Sequence, residues 1–361
     1  MSRPSQIGPD PGPVRNSLAF APVTLSHGRM DPAWLDPEQL DHRDVAGAVA
    51  VVEAARAADT PVLVPVLSTS YTYRLKHGWD GDPPATAVHR NARGRVDGVL
   101  DVWLPRWDNT HLATIGVTVD PLSRGNGLGR ALFEAGIARA RAENRTTVLA
   151  DTHDYPTGVG FLTAMGMSQA SEVMLRRQDP ADLDWSRLDT LHASAEAKAG
   201  AYELVRIAGP TPDDQLDAVT VLTAAINDAP TDGLDVEDDV FTPERVRRFE
   251  TSQVLRGRRI YRLMARHRDT GELAGHTIVV VDGERPWIGF QLDTSVVRAH
   301  RGYRLGLLLK IGMLRWLAVE EPQLRSVDTD NAASNGYMIS INDAIGYKVI
   351  GSKLEYQLKL S

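Results

Sequence analysis

A chain of 361 residues with 42% hydrophobic and 24% charged side chains can bury a sizeable core, which excludes disordered and fibrous classes. Its formal charge of -7, from 40 Lys and Arg against 47 Asp and Glu, carries no electrostatic footprint for duplex nucleic acid or an anionic membrane, so neither is expected as a partner. Cysteine is absent, which removes thiolate nucleophiles, disulfide frameworks, Cys-ligated zinc and iron–sulfur clusters.

The opening MSRPSQIGPDPGPVRN is rich in Pro, Gly and Ser and has no apolar h-region, so residues 1–16 are expected as a disordered tail rather than a signal peptide. The longest apolar candidate, Val45–Ala58, carries Glu53 and Arg56 and falls short of the roughly 18 apolar residues of a membrane span. A cytoplasmic location is the resulting expectation. Strands are predicted over Thr86–Asn91 and Val96–Leu104, around the turn Ala92-Arg93-Gly94-Arg95, and over Leu112–Val119. A glycine-rich turn, a helix over Arg130–Asn144 and a strand over Thr146–Asp151 follow. Between Arg177 and Ala201 apolar periodicity lapses, and the domain boundary is set there. The expected division is a 17–180 domain, a 181–200 linker and a 201–361 domain, in line with about 100–200 residues per domain.

The second half opens with a strand over Tyr202–Ile207. A helix follows with Asp213 and Asp214 in its first turn and Leu216, Val219, Val221, Leu222 and Ile226 on its apolar face. After an acidic loop from Asp232 to Asp239, Thr242 and Pro243 are placed as N-cap and first residue of another helix. Ile260–His267, Leu273–Val281 and Trp287–Val296 read as a meander of antiparallel strands.

An internal repeat underlies this order. Arg124-Gly125-Asn126-Gly127-Leu128-Gly129 matches Arg301-Gly302-Tyr303-Arg304-Leu305-Gly306 at an offset of 177 residues, and Asp151-Thr152 matches Asp328-Thr329 at the same offset. Met165-Gly166-Met167 and Ile345-Gly346-Tyr347 are 180 apart, so the second copy has gained three residues. In both copies a strand runs into a glycine turn and then a helix. Glycines there bring backbone N–H groups close to a bound anion, and the helix N-terminus adds its unpaired donors. Phosphate or pyrophosphate is the natural guest; a tight connection that holds nothing is the plain alternative. A dinucleotide fingerprint fits poorly, because five residues separate the strand from Gly125 and Arg130 stands at the third glycine position. A Walker loop fails for want of Lys-Ser or Lys-Thr.

Together with the Val117-Thr118-Val119 strand and the downstream strand–helix–Gly unit, the loop resembles motifs A and B of the GNAT acyltransferase superfamily. The family's Gln/Arg-x-x-Gly-x-Gly/Ala pattern is met by Arg124, Gly127 and Gly129, while the second copy keeps Arg301 and Gly306 but places Arg304 at the middle glycine. The two resemblances cover roughly Thr86–Arg176 and Tyr202–Leu360. The tandem arrangement is similar to that of the mycothiol synthases. The resemblance implies an α/β (α+β) chain of two tandem GNAT folds, each a mixed, mostly antiparallel sheet with helices on both faces. It implies acetyl-CoA as co-substrate, a primary amine on a small molecule as acceptor, and direct attack in a ternary complex, with a monomer or homodimer as the assembly. The strands flanking each loop helix would splay apart to receive the pantetheine arm. The implied acyl-CoA residues are Val117 and Val119 with Arg124, Gly125, Asn126, Gly127, Leu128, Gly129 and Arg130 in the first copy. In the second they are Val296, Arg301, Gly302, Tyr303, Arg304, Leu305 and Gly306, with Asn331 and Asn335. Arg304 either adds a cation to the phosphate site or closes it by bulk.

The family's general-acid tyrosine is missing, since Leu162 and Asn342 stand at its positions. Tyr155 and His153 past the first copy's strand end, Tyr337 in the second copy's last helix, and Asn342 as a hydrogen-bonding amide are the substitutes. Asp293 is the best-placed base. Each also has a structural reading as rim, core or cap. If all of them are structural, the chain is a non-catalytic acyl-CoA-binding or regulatory protein. Ten histidines show no metal-ligand spacing, and no metal is expected. The acidic run Asp235–Asp239 is read as a solvated loop, or as an attractor for a cationic amine.

Overall fold

The computed structural model describes residues 31–361, so the expected tail over 1–16 lies outside the described residues. A two-residue strand β1 (Ala33–Trp34) precedes helices α1 (His42–Asp59) and α2 (Ser68–His77). Asp41 caps α1 by accepting from the Arg43 N–H, and the helix buries Val45, Ala48, Val51 and Ala55. The Ala/Val-rich run is therefore an amphipathic helix against the sheet. Among the described residues no helix is long and apolar enough to cross a membrane. The first copy continues through β2 (Ala85–Arg90), β3 (Val96–Trp103), β4 (Leu112–Val119), α3 (Leu128–Ala142), β5 (Thr147–His153), α4 (Pro156–Ala164) and β6 (Ser168–Gln178).

The segment expected as a linker over 181–200 contains helix α5 (Trp185–Lys198), capped by Asp184. Its apolar stripe is short and Ala-rich, Leu188 and Ala195 being buried, so the sequence reads there as a loss of pattern. Leu188 packs with Ile311, Leu314 and Ile341 of the second copy. That copy comprises β7 (Tyr202–Ala208), α6 (Leu216–Ala224), α7 (Pro243–Leu255), β8 (Arg259–His267), β9 (Leu273–Val281), β10 (Ile288–Val296), α8 (Leu305–Glu320), β11 (Ser326–Ala332), α9 (Gly336–Ala344) and β12 (Lys348–Lys359). Thr242 caps α7 through the Arg245 N–H with Pro243 at its start, as its sequence predicts. Val221, expected on the apolar face of α6, points outward at 59% exposure.

Among the described residues all twelve strands form one mixed, mostly antiparallel sheet in the order β1-β2-β3-β4-β5-β12-β6-β11-β10-β9-β8-β7. The two copies have exchanged their last strands: β12 inserts beside β5, and β6 pairs with β11. Leu354 and Tyr356 of β12 consequently sit in the first copy's core with Leu100, Ile115, Leu132 and Val148. Burying a side chain such as Leu354 contributes roughly 1.5–3 kcal/mol. The boundaries drawn along the sequence are thus crossed in space. The acidic loop adds a further tie, the Asp235 carboxylate accepting from Thr147 Oγ1 at 2.9 Å and pairing with Lys359.

Both copies open a wedge in this sheet. Parallel pairing of β4 with β5 is confined to Leu112–Thr114 against Thr147–Leu149, and that of β10 with β11 to Ile288–Phe290 against Ser326–Asp328. Beyond those residues β4 no longer pairs with β5, nor β10 with β11, while each keeps its other neighbour. The register of β9 with β10 also shifts between Gln291 and Thr294, an irregularity that β3 and β4 lack.

Candidate active site

In the first copy the chain leaves β4 through a short turn, where the Asp120 carboxylate accepts from the Leu122 N–H, and enters α3 by way of Gly125 and Gly127. Their φ angles of +79° and +86° lie in the left-handed region, which a residue with a Cβ enters only under strain. The space beside Gly125 is open. Loop amides and the unpaired N–H groups of the α3 N-terminus are available to an anion.

This loop borders a cavity of about 610 Å³, enclosed by the end of α1, the following loop, the parted ends of β4 and β5, and helices α3 and α4. Of the residues expected to hold acyl-CoA, Val117, Val119, Arg124, Gly125, Gly127, Gly129 and Arg130 line it. Asn126 faces solvent, and Leu128 is buried in the core. Phe133, Phe161, Leu162 and Met165 supply an apolar wall. Arg124 is committed elsewhere than the sequence suggests. Its Nε donates to the Val119 carbonyl at 3.2 Å, and its two Nη atoms donate to both oxygens of Asp59 at 2.8 and 2.6 Å. Among the described residues, Arg130 is the arginine on the cavity wall without an ion-pair partner, Arg56 being paired with Glu53.

Two uncharged titratable groups line the same cavity. Burial raises the pKa of the Tyr155 phenol, with Asp59 adding to the effect, so it remains a proton donor at neutral pH. Burial lowers the pKa of the His153 imidazole, which leaves it neutral and able to accept a proton. Gly158 makes room for this arrangement, because a Cβ there would fall 1.9 Å from Thr152 Oγ1 and 3.0 Å from Tyr155 Cζ.

The second copy keeps the frame and changes its use. Arg301 donates to the Val296 carbonyl at 3.1 Å and pairs with Asp228, mirroring Arg124 and Asp59. Arg304 takes the left-handed position at φ +58°, and its Nη1 donates to Ser194 Oγ of α5 at 2.6 Å. Gly302 is also left-handed, Leu305 is buried, and the Tyr303 ring leans on Tyr202 at 5.5 Å between centroids. Gly306 faces Ile341 and the Tyr337 hydroxyl. Asn335 caps α9 by accepting from the Met338 N–H, and Asn331 Oδ1 accepts from Asn342 Nδ2 at 2.6 Å. Asn342 is fully buried and Tyr337 is exposed on the rim.

Asp293 lies apart from all of these, in a second cavity of about 230 Å³ with Trp79, Asp80, Asp239, Arg245, Phe249 and Arg262. Burial pushes its carboxyl up to about 6. Arg262 is already engaged by Glu250 at 3.1 Å and by His276 Nδ1 at 2.9 Å. Of the five catalytic candidates, Tyr155 and His153 line the cavity that the glycine loop opens onto; Asp293, Tyr337 and Asn342 stand in three other environments. Asp59 and the loop after α1 were not anticipated. In the structure Asp59 and Asp228 end corresponding helical segments and bind corresponding arginines, but they are 169 residues apart, so the 177-residue repeat does not align them.

The profile of the acetyltransferase (GNAT) family matches residues 52–167, from within α1 to the residue before β6. Over this stretch the first copy is similar to the GNAT acetyltransferases. A solved structure described as a tandem GNAT protein from the clavulanic acid biosynthesis pathway superposes with a TM-score of 0.74 at 27% identity, over 91% of this chain and 98% of that one. A GCN5-related N-acetyltransferase from Sphaerobacter thermophilus shares the GNAT fold at a TM-score of 0.63 and 16% identity, over 91% of this chain and 95% of that one. In sequence, the mycothiol acetyltransferase of Stackebrandtia nassauensis is 27% identical over 78% of this chain and 84% of its own length. That of Clavibacter sepedonicus is 28% identical over 66% of each. The two repeated halves are thus tandem GNAT folds joined by exchanged strands.

Proposed function

We propose that the protein transfers the acetyl group of acetyl-CoA to a primary amine of a small molecule by direct attack in a ternary complex, with the acyl donor in the first-copy cavity. The observation that carries this reading is the open glycine loop bordering a cavity of about 610 Å³ between parted strands. The pyrophosphate suits the amides from Gly125 to Arg130 and the positive end of α3. The pantetheine arm suits the unpaired backbone edge of β4 past Thr114, by the physics of strand addition.

As the amine nitrogen bonds to the acetyl carbon, its proton passes to the neutral His153 imidazole. As the carbon–sulfur bond breaks, the thiolate, whose thiol form has a pKa of about 8.5, takes a proton from Tyr155. Solvent returns the proton from His153 to Tyr155. A chain without cysteine offers no thiol for a covalent acyl intermediate, which favours direct attack. Relatives named mycothiol acetyltransferases make the acceptor of that reaction one member of the panel to be tested.

Titration calorimetry with acetyl-CoA, followed by a free-thiol release assay across a panel of amines, tests the reading. Saturable binding with amine-dependent thiol release is expected. Binding without release from any amine supports an acyl-CoA-binding protein instead, and absence of binding overturns both.

A further inference from the structure

We infer that Lys353, carried by the last strand of the second copy, is a positioning residue of the first-copy site, supplied across the strand exchange to His153 and Asp151. The inference rests on the proposed role of His153 as proton acceptor. β12 runs antiparallel to β5 with Lys353 opposite His153, Leu354 opposite Thr152 and Glu355 opposite Asp151. Directly opposed residues of an antiparallel pair project to one face with Cβ atoms about 4.5–5.5 Å apart. Leu354 and Tyr356 go down into the core, so Asp151, His153, Lys353 and Glu355 share the other face. The Asp154 N–H donates to the Ser352 carbonyl at 3.1 Å, which fixes the register up to the end of β5. Lys353 Nζ lies 3.4 Å from Glu355 Oε1, and both side chains are about a quarter exposed.

Among the charged groups near His153, Asp151 on its own strand, Glu355 on β12 and Asp59 from α1 are negative, Asp59 being paired with Arg124, and Arg130 lies on the same cavity wall. Beyond β12, strand β6 places the uncharged Val173 opposite Lys353, and β11 contributes Asp330. Left to those carboxylates, the imidazole would tend to keep a proton and fail as an acceptor. Lys353 supplies the opposing charge. Burial is the largest influence lowering the His153 pKa, and Lys353 acts in the same direction against Asp151 and Asp59. Burial also works against the Lys353 ammonium, but Asp151, Glu355 and Asp330 together outweigh it and hold its pKa above the ordinary lysine value. The charge is therefore present throughout the neutral range. The family profile ends at residue 167, so this group comes from outside the stretch that defines the first copy.

The full chain carrying Lys353→Met or Lys353→Arg tests this through the pH profile of kcat/KM. Lys353→Met is expected to move the acid limb upward by about 0.5–1 unit, costing roughly three- to tenfold at pH values below the limb, with little loss above pH 8. Lys353→Arg should restore the limb, and acetyl-CoA affinity should hold in both. An unmoved limb in a folded Lys353→Met protein overturns the inference, as does a pH-independent loss that arginine does not rescue. NMR titration of the His153 ring, assigned with His153→Gln, separates this failure from failure of the proposed mechanism. The ring midpoint must rise in Lys353→Met whether or not His153 is the base, and a midpoint that stays put overturns the inference by itself.

Discussion

Gly127 and Arg304 occupy corresponding turns at the head of corresponding helices, both in the left-handed region at φ +86° and +58°. Around them the frame is the same: an arginine at the start of each loop donates to a strand carbonyl and pairs with an aspartate at the end of a helical segment. The backbone path is evidently set by that frame, because it persists where the turn residue has a side chain. A non-glycine residue there costs roughly 1–2 kcal/mol. Arg304 accepts that strain and uses its guanidinium to reach Ser194 on α5, which flanks the second copy alone. One loop opens on a cavity; the other is tied to a helix of its own chain.

The largest expected effect comes from breaking this difference at its centre. Gly127→Glu adds left-handed strain, bulk and negative charge beside the pyrophosphate position, and acetyl-CoA affinity should fall by about 100-fold or more in calorimetry. Arg304→Gly should leave the first-copy affinity within twofold. Wild-type stoichiometry should be one; a value of two would show that the second loop is open after all.

The next comparison sets Tyr155 against Asn342, a rim phenol against a buried amide. Tyr155→Phe should lower kcat by about 100-fold with KM for acetyl-CoA within twofold, read in the thiol-release assay. Asn342→Ala should do the reverse. It strands Asn331 without its donor, costing about 1–3 kcal/mol of stability in denaturant unfolding, while kcat holds.

The sequence pattern carried the strands and the loops further than it carried the site. Alternating Val and Thr over Leu112–Val119, and Thr242-Pro243 at a helix start, act through neighbours one to four residues away, and both elements form as expected. The strand exchange depends on which of two similar hairpin strands finds which edge, a choice made between residues such as Lys353 and His153, 200 positions apart. Helix α5 escaped notice because its buried stripe is short and rich in alanine. Arg124 was legible as a cation of the loop, but its partner Asp59 is 65 residues away, and no local pattern announces a bidentate ion pair. Tyr155 was nameable as a phenol near a strand end, whereas the shielding that keeps it protonated comes from α1 and from the absence of a side chain at Gly158.

The smallest effect tests what fills the second wedge. Lys310 stands 177 residues after Phe133, at the corresponding place on α8, but it is 2% exposed and its Nζ lies 5.2 Å from the centroid of the Tyr347 ring. Burial pushes its pKa down from 10.5 to about 7. The folded state therefore binds this proton more weakly than the unfolded chain does. Between about pH 7 and 10.5 the unfolded state holds the extra proton, so stability should rise with pH across that window by up to one proton's worth of slope. Below pH 7 both states are protonated and the full cost of the buried charge remains. Lys310→Met keeps the length of the side chain and removes the charge, so it should flatten the slope and raise Tm at pH 7 by about 2–4 °C. First-cavity affinity should not change, since Phe133 and its neighbours are untouched. A Tm that climbs with pH as steeply in Lys310→Met as in the parent would mean that the lysine is solvated in the folded state, and that water reaches α8 beside Tyr347.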